Sequence, residues 1–186
     1  MYHLYLEDAI AAIDSACRLN TRRTRGWLMY ENMVDVLIYL YENYMDGESQ
    51  PPADQGELED ELSQAGFSSD EIDKALQWLD DLAAGVSGSD YSPLAVGSMR
   101  LYCEKELDRL DVDVRGLVLF LEQNGILDPI CRELVIERVL AIDHPQVTVD
   151  ELKWVVLLVL MNRPGQEAAF TQMEDLVYND EPTYFH

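Results

Sequence analysis

Eight apolar residues run without interruption from Trp154 to Met161, inside the stretch ELKWVVLLVLMNRPG that spans Glu151 to Gly165. No other feature of this chain restricts its fold so sharply. Such a run must cross a membrane, lie as a buried strand, or form a helix enclosed by other helices. A spanning helix needs roughly twenty apolar residues, so the run is too short to cross. Upstream, Thr148 and Glu151 fit a T-x-x-E capping box; downstream, Asn162, Pro164 and Gly165 stop the element. A cap, about fourteen residues and a Pro-Gly stop predict a helix, and one apolar nearly all round must be surrounded by others. Val155, Val156 and Val159 leave a buried strand as the rival reading.

The remaining segments show the same periodicity. Met33, Leu37, Leu40, Tyr41 and Tyr44 recur at spacings of three and four, a helical stripe. DGESQPPAD (46–54) reads as a polar loop. Leu58, Leu62 and Ala65 mark a helix closed by Gly66. Ser68 and Glu71 form a second capping box ahead of Ile72, Ala75, Leu76, Leu79, Leu82 and Ala83. GVSGSDYSPLAVG (85–97) has the composition of a linker, and SMRLY (98–102) that of a short extended segment. Helices are expected around Lys105–Leu110, up to Asn124-Gly125, and from the Asp128-Pro129 start to about Ile142. A last one runs from Gln166 to Tyr178 with Phe170, Met173 and Val177 inward. The expected fold class is all-α: two packed helical modules, 33–84 and 98–178, joined by the linker. Residues 1–32 form an N-terminal extension and 179–186 a tail.

Thirty-six acids face thirteen bases, a net charge of -23, and they are unevenly placed. Residues 42–90 hold fourteen acids and one base, Lys74, whereas residues 1–32 balance four arginines (Arg18, Arg22, Arg23, Arg25) against four acids. The apolar fraction of 48% is that of an ordinary globular chain, so the charge does not signal disorder. It repels nucleic acid and anionic lipid, and any partner should present a basic surface. Cys17, Cys103 and Cys131 are odd in number and widely spaced, which predicts reduced thiols. MYHLYLEDAIAAID lacks the bases of a secretion signal, so the expected location is the cytoplasm.

Read together, VDVLIYLYENYM, LSQAGFSSDEIDKALQWLDDL, SMRLY, RGLVLFLEQNGIL, RELVIERVLAID and DELKWVVLLVLMNRPG closely resemble the Smg family of small bacterial proteins, over about 33–178. The resemblance implies a compact cytosolic helical protein of unassigned biochemical function, with no established catalytic residues to carry over. The family's gene often lies beside one for a DNA-processing protein, an association only. Family members begin at the position of Met33. Residues 1–32 are therefore either a real appendage with a basic elbow or a stretch upstream of the native start.

Several residues invite a chemical reading, each with a plainer one beside it. His144, next to Asp143 and close to Asp150 and Glu151, has partners for acid–base work, but AIDHPQ reads more simply as an interhelix turn. Cys131, beside Arg132 in a first helical turn, has the setting of a low-pKa nucleophile; a small core thiol is the plainer reading, and it holds for Cys103 too. Trp78 and Trp154 fit the core better than a binding hot spot. His3 and His186 are terminal, so no metal cluster is expected, and GVSGSD lacks the lysine of a phosphate loop. No cofactor is expected. Glu57, Asp60, Glu61, Asp70, Glu71, Asp73, Asp80 and Asp81 are the candidate acidic docking face, each of them individually explicable as solvated helix surface. The expectation is a non-enzymatic protein-binding adaptor. The alternatives are a nucleic-acid mimic seated on the basic site of a DNA-handling protein, or an enzyme built on Cys131 or His144.

Overall fold

A computed structural model of the chain describes residues 32–45, 52, 54–88 and 100–178. Their regular structure is helical, with no strand among them. By contact the chain divides into two units, Met1–Ala84 and Gly85–His186.

In the first unit α1 spans Met33–Leu40. Asn32 caps it, accepting from the amides of Val34 at 2.7 Å and Asp35 at 3.3 Å, while the Asp35 carboxylate accepts from the Asn32 amide at 3.3 Å. Met33, Val34, Val36, Leu37, Leu40 and Tyr41 are all buried, a wider face than the stripe predicts. The helix runs directly into a π turn, Tyr41–Met45, whose looser winding carries Tyr44 to a half-buried position. Helix α2, Gln55–Ala65, buries Leu58 and Leu62 and closes on Gly66, whose φ of 110° favours glycine. The Phe67 amide then returns to the Leu62 carbonyl at 3.2 Å, and its ring meets Tyr39 edge to face at 5.4 Å. Helix α3, Ser69–Gly88, starts at the expected Ser68–Glu71 box: the Ser68 amide donates to Glu71 at 2.9 Å and the Glu71 amide to Ser68 Oγ at 3.3 Å. It buries Ile72, Ala75, Trp78 and Leu82. The helix continues through Gly88, four residues into the stretch read as a linker, because two glycines lower helix propensity without breaking it. The rest of that stretch lies outside the described residues, as do residues 1–31 and the tail.

The second unit holds α4 (Glu104–Arg109), α5 (Val112–Gln123), α6 (Pro129–Leu140), α7 (Val149–Met161) and α8 (Glu167–Tyr178). Residues 100–102 precede α4 without regular structure. Helix α7 is the element read first from the sequence, and it is the hub: it packs against α5, α6 and α8. Leu152 and every residue from Val155 to Leu160 are buried. Its Thr148 cap is the expected one, with the Glu151 amide donating to Thr148 Oγ1 at 3.2 Å and the Thr148 amide to Glu151 at 2.8 Å. Asp128 caps α6 by accepting from the Cys131 amide at 2.6 Å, ahead of Pro129 at the first helical position. Phe170 and Met173 of α8 are buried, and Val177 is half-buried. Trp154 departs from the sequence reading: it is half-buried rather than enclosed, with its ring edge to face against Tyr178 at 5.9 Å.

Candidate functional site

The predicted acidic residues lie on two helices of the first unit. On α2, Glu57, Asp60 and Glu61 share one exposed face, opposite Leu58 and Leu62. On α3, Asp70, Asp73, Asp80 and Asp81 are exposed, whereas Glu71 is half-buried because its carboxylate closes the helix cap. Two contacts run along the α3 face: Lys74 meets Asp70 at 2.9 Å, and Gln77 donates to Asp81 at 3.0 Å. Two titratable groups here are shifted, both by burial foremost. Asp80 is raised above the usual carboxylate range, first by burial and then by its neighbour Asp81. Tyr44 likewise is raised, by burial foremost and by the Glu61 carboxylate.

The second unit contains an ion-pair network that the sequence reading did not find. Arg100 grips Glu106 with both terminal nitrogens, at 3.1 and 2.7 Å, and its Nε meets both oxygens of Glu133 at 2.9 and 3.1 Å. Glu133 also accepts from Arg132 at 2.9 Å, and Arg132 reaches on to Glu122. Arg132 is only 4% exposed, a buried cation paired on two sides. The bonds from Arg100 hold the Glu106 carboxyl below the ordinary range. Tyr102 packs against this network, with the Arg100 guanidinium 4.6 Å and that of Arg115 5.9 Å from its ring centre. Four pieces of chain, residues 100–102, α4, α5 and α6, are thus tied together. Only a cap-like Glu three residues after Cys103 hints at this from sequence, because Arg100 and Glu133 lie thirty-three residues apart.

Each of the two residues weighed for chemistry meets the carboxylate that caps a helix. Cys131 is fully buried, and burial together with the capping carboxylate of Asp128 pushes its thiol up to about 11. The first-turn setting therefore acts opposite to the activation weighed from sequence, because the cap supplies negative charge where a thiolate would form. His144 Nδ1 lies 3.0 Å from Glu151 Oε1, so the histidine meets the carboxylate that caps α7. Cys103 is exposed at the start of α4. Among the described residues no group of three or more His, Cys, Asp or Glu side chains is placed to hold a metal ion. No described helix is long and apolar enough to cross a membrane.

Fold and surface together define a small, strongly acidic protein, helical in its described residues, whose second unit is organised around one apolar helix. The family model described as "Protein of unknown function (DUF494)" matches residues 33–186. Among curated relatives, a "Protein Smg homolog" of Thioalkalivibrio sulfidiphilus is 44% identical over 162 residues, covering 85% of this chain and 100% of that one. Homologs of the same name from Aeromonas hydrophila subsp. hydrophila and Stenotrophomonas maltophilia (strain K279a) are 47% and 48% identical over 158 residues. They cover 83% and 85% of this chain and all of their own. The chain belongs to the Smg (DUF494) family. No solved structure matches it.

Proposed function

We propose that this protein is a non-enzymatic cytoplasmic adaptor that binds a basic protein surface through the exposed acids of α2 and α3. One observation carries the reading: Glu57, Asp60, Glu61, Asp70, Asp73, Asp80 and Asp81 all face solvent, in a stretch of fourteen acids with Lys74 as its one base. Such a field steers a basic partner and holds it weakly enough for salt to release it.

The test is affinity capture from the native cell at about 0.05 M and about 0.5 M salt, where the Debye length falls below roughly 5 Å. A variant carrying Glu57→Gln, Asp60→Asn, Glu61→Gln, Asp80→Asn and Asp81→Asn runs beside the native chain. Glu71 is left intact because it caps α3. A basic protein captured at low salt, and lost both at high salt and by the variant, is the expected outcome. Retention under both conditions would refute the acidic face. Displacement of the partner by duplex DNA would favour the nucleic-acid mimic instead.

A further inference from the structure

Helix α5 has two apolar faces, and only one of them is used. Val114, Leu117, Val118 and Leu121 are buried against the core. Val112, Gly116 and Leu119 follow one another at helical spacing on the other side, with Val112 70% and Leu119 53% exposed. Gly116 sits between them with no atom within 4 Å of where a Cβ would lie, leaving a shallow dent in the stripe. Arg115, one turn from both Val112 and Leu119, carries its guanidinium to 5.9 Å from the ring centre of Tyr102, which brings residues 101–102 toward this helix. Leu101 is 84% exposed. Arg100, immediately before it, is anchored to both Glu106 and Glu133, which fixes the position of the leucine.

We infer that Leu101, Val112, Gly116 and Leu119 form a preorganised seat for a single amphipathic helix of a partner protein with basic flanks. The charge around the stripe selects that occupant. Asp108, Asp111 and Asp113 are exposed around the first turn of α5. The nearby arginines are spent inward, Arg109 on the Ile142 carbonyl at 2.6 Å and Arg115 on the Leu110 carbonyl. A second copy of the chain is disfavoured because it would bring the same acidic rim and a net charge of -23 against its own kind. An apolar helix edge needs only knobs at i, i+3, i+4 and i+7, one of them over Gly116, with Lys or Arg beside them. This seat is built on different helices from the acidic face of α2 and α3, and neither reading depends on the other.

The probe is a synthetic helix of about eighteen residues, five turns long, with leucines at that spacing and lysines elsewhere. Hydrogen exchange on the full chain and a titration read its binding. Protection confined to 112–119 and neighbouring residues is expected. Leu119→Asp should weaken Kd about tenfold or more, the effect of losing one interfacial anchor. Gly116→Leu should do the same by filling the dent, without loss of fold, since leucine is the better helix former. Glu57→Gln with Asp60→Asn and Glu61→Gln should leave the protection in place, which separates this seat from the adaptor face. Equal binding of a scrambled peptide, or of one with glutamates for lysines, overturns the inference, as does absence of protection. Two further outcomes would also overturn it. One is a native chain that sediments as a dimer while Leu119→Asp is a monomer, making the occupant a second copy. The other is a Kd that tightens when Arg18, Arg22, Arg23 and Arg25 are replaced by alanine, making the occupant the chain's own N-terminal stretch.

Discussion

At the scale of single residues, the side chains that matter most are those with no access to water. Leu158 is 1% exposed on the helix that three others enclose. Its truncation removes transfer free energy and leaves a void that packed neighbours cannot fill, so Leu158→Ala should cost about 2–5 kcal/mol in urea unfolding. A loss below about 1 kcal/mol would show that the core relaxes around the site. Cys131 gives a second residue-scale expectation. A thiol held near 11 and fully buried is a poor nucleophile at neutral pH. Maleimide should therefore modify the exposed Cys103 in the native protein and reach Cys131 only on unfolding, as read by mass mapping of the peptides. Fast labelling of Cys131 under native conditions would reopen the nucleophile reading.

At the scale of elements, the starts of α3, α6 and α7 are fixed by atoms within three residues of them, and such features are legible in sequence. Thr148, Ser68 and Asp128 cap the helices they were read to cap, and Gly66 ends α2 as expected. Thr148→Ala should cost about 1 kcal/mol of stability, the usual value of a lost N-cap. Ser should restore most of it, which a loss of packing alone would not allow. What joins the elements was not legible. The Arg100–Glu133 pair depends on how the segment before α4 meets α6, and no periodicity along the chain encodes that meeting. Trp154 was misread for a related reason: its place among valines and leucines gives no sign that α7 reaches the surface at that position. The second apolar stripe of α5 was visible in the spacing of Val112 and Leu119, but burial alone shows which of the two faces is left over. The network makes its own prediction. Arg132→Met strands the carboxylate of Glu122 and half of the Glu133 interaction. It should cost about 3 kcal/mol, the low end for breaking a buried pair, because both glutamates keep partial contact with water. A double-mutant cycle with Glu122→Gln should recover part of that loss, whereas strict additivity would show that the two groups do not interact.

At the scale of the whole molecule, charge opposes the folded state. Two like charges about 10 Å apart in water repel by only about 0.4 kcal/mol before screening. The chain carries thirty-six acids and thirteen bases, and fourteen of those acids lie within residues 42–90, so many such terms accumulate. Attractive pairs exist, but the strongest are sheltered: Arg132 is 5% exposed at its side chain and Arg100 15%, so added salt screens them little. Glu57, Asp60, Glu61, Asp70, Asp73, Asp80 and Asp81 of α2 and α3 are open to solvent and are screened far more. Raising salt from 0.01 M to 0.15 M shortens the Debye length from roughly 30 Å to roughly 8 Å, and repulsion therefore falls more than attraction does. The free protein should become more stable. Each 1 kcal/mol gained should raise Tm by about 2–4 °C in a chain of this size. Calorimetry in sodium chloride at the two concentrations measures the shift. Sodium sulfate at matched ionic strength separates screening from the exclusion of kosmotropic salts from apolar surface. The neutralised variant used to test the adaptor face should begin with the higher Tm and gain less from salt. If the native chain and that variant respond equally to sodium chloride, the acids of α2 and α3 are not the source of the repulsion. The charge that limits stability would then lie elsewhere on the molecule.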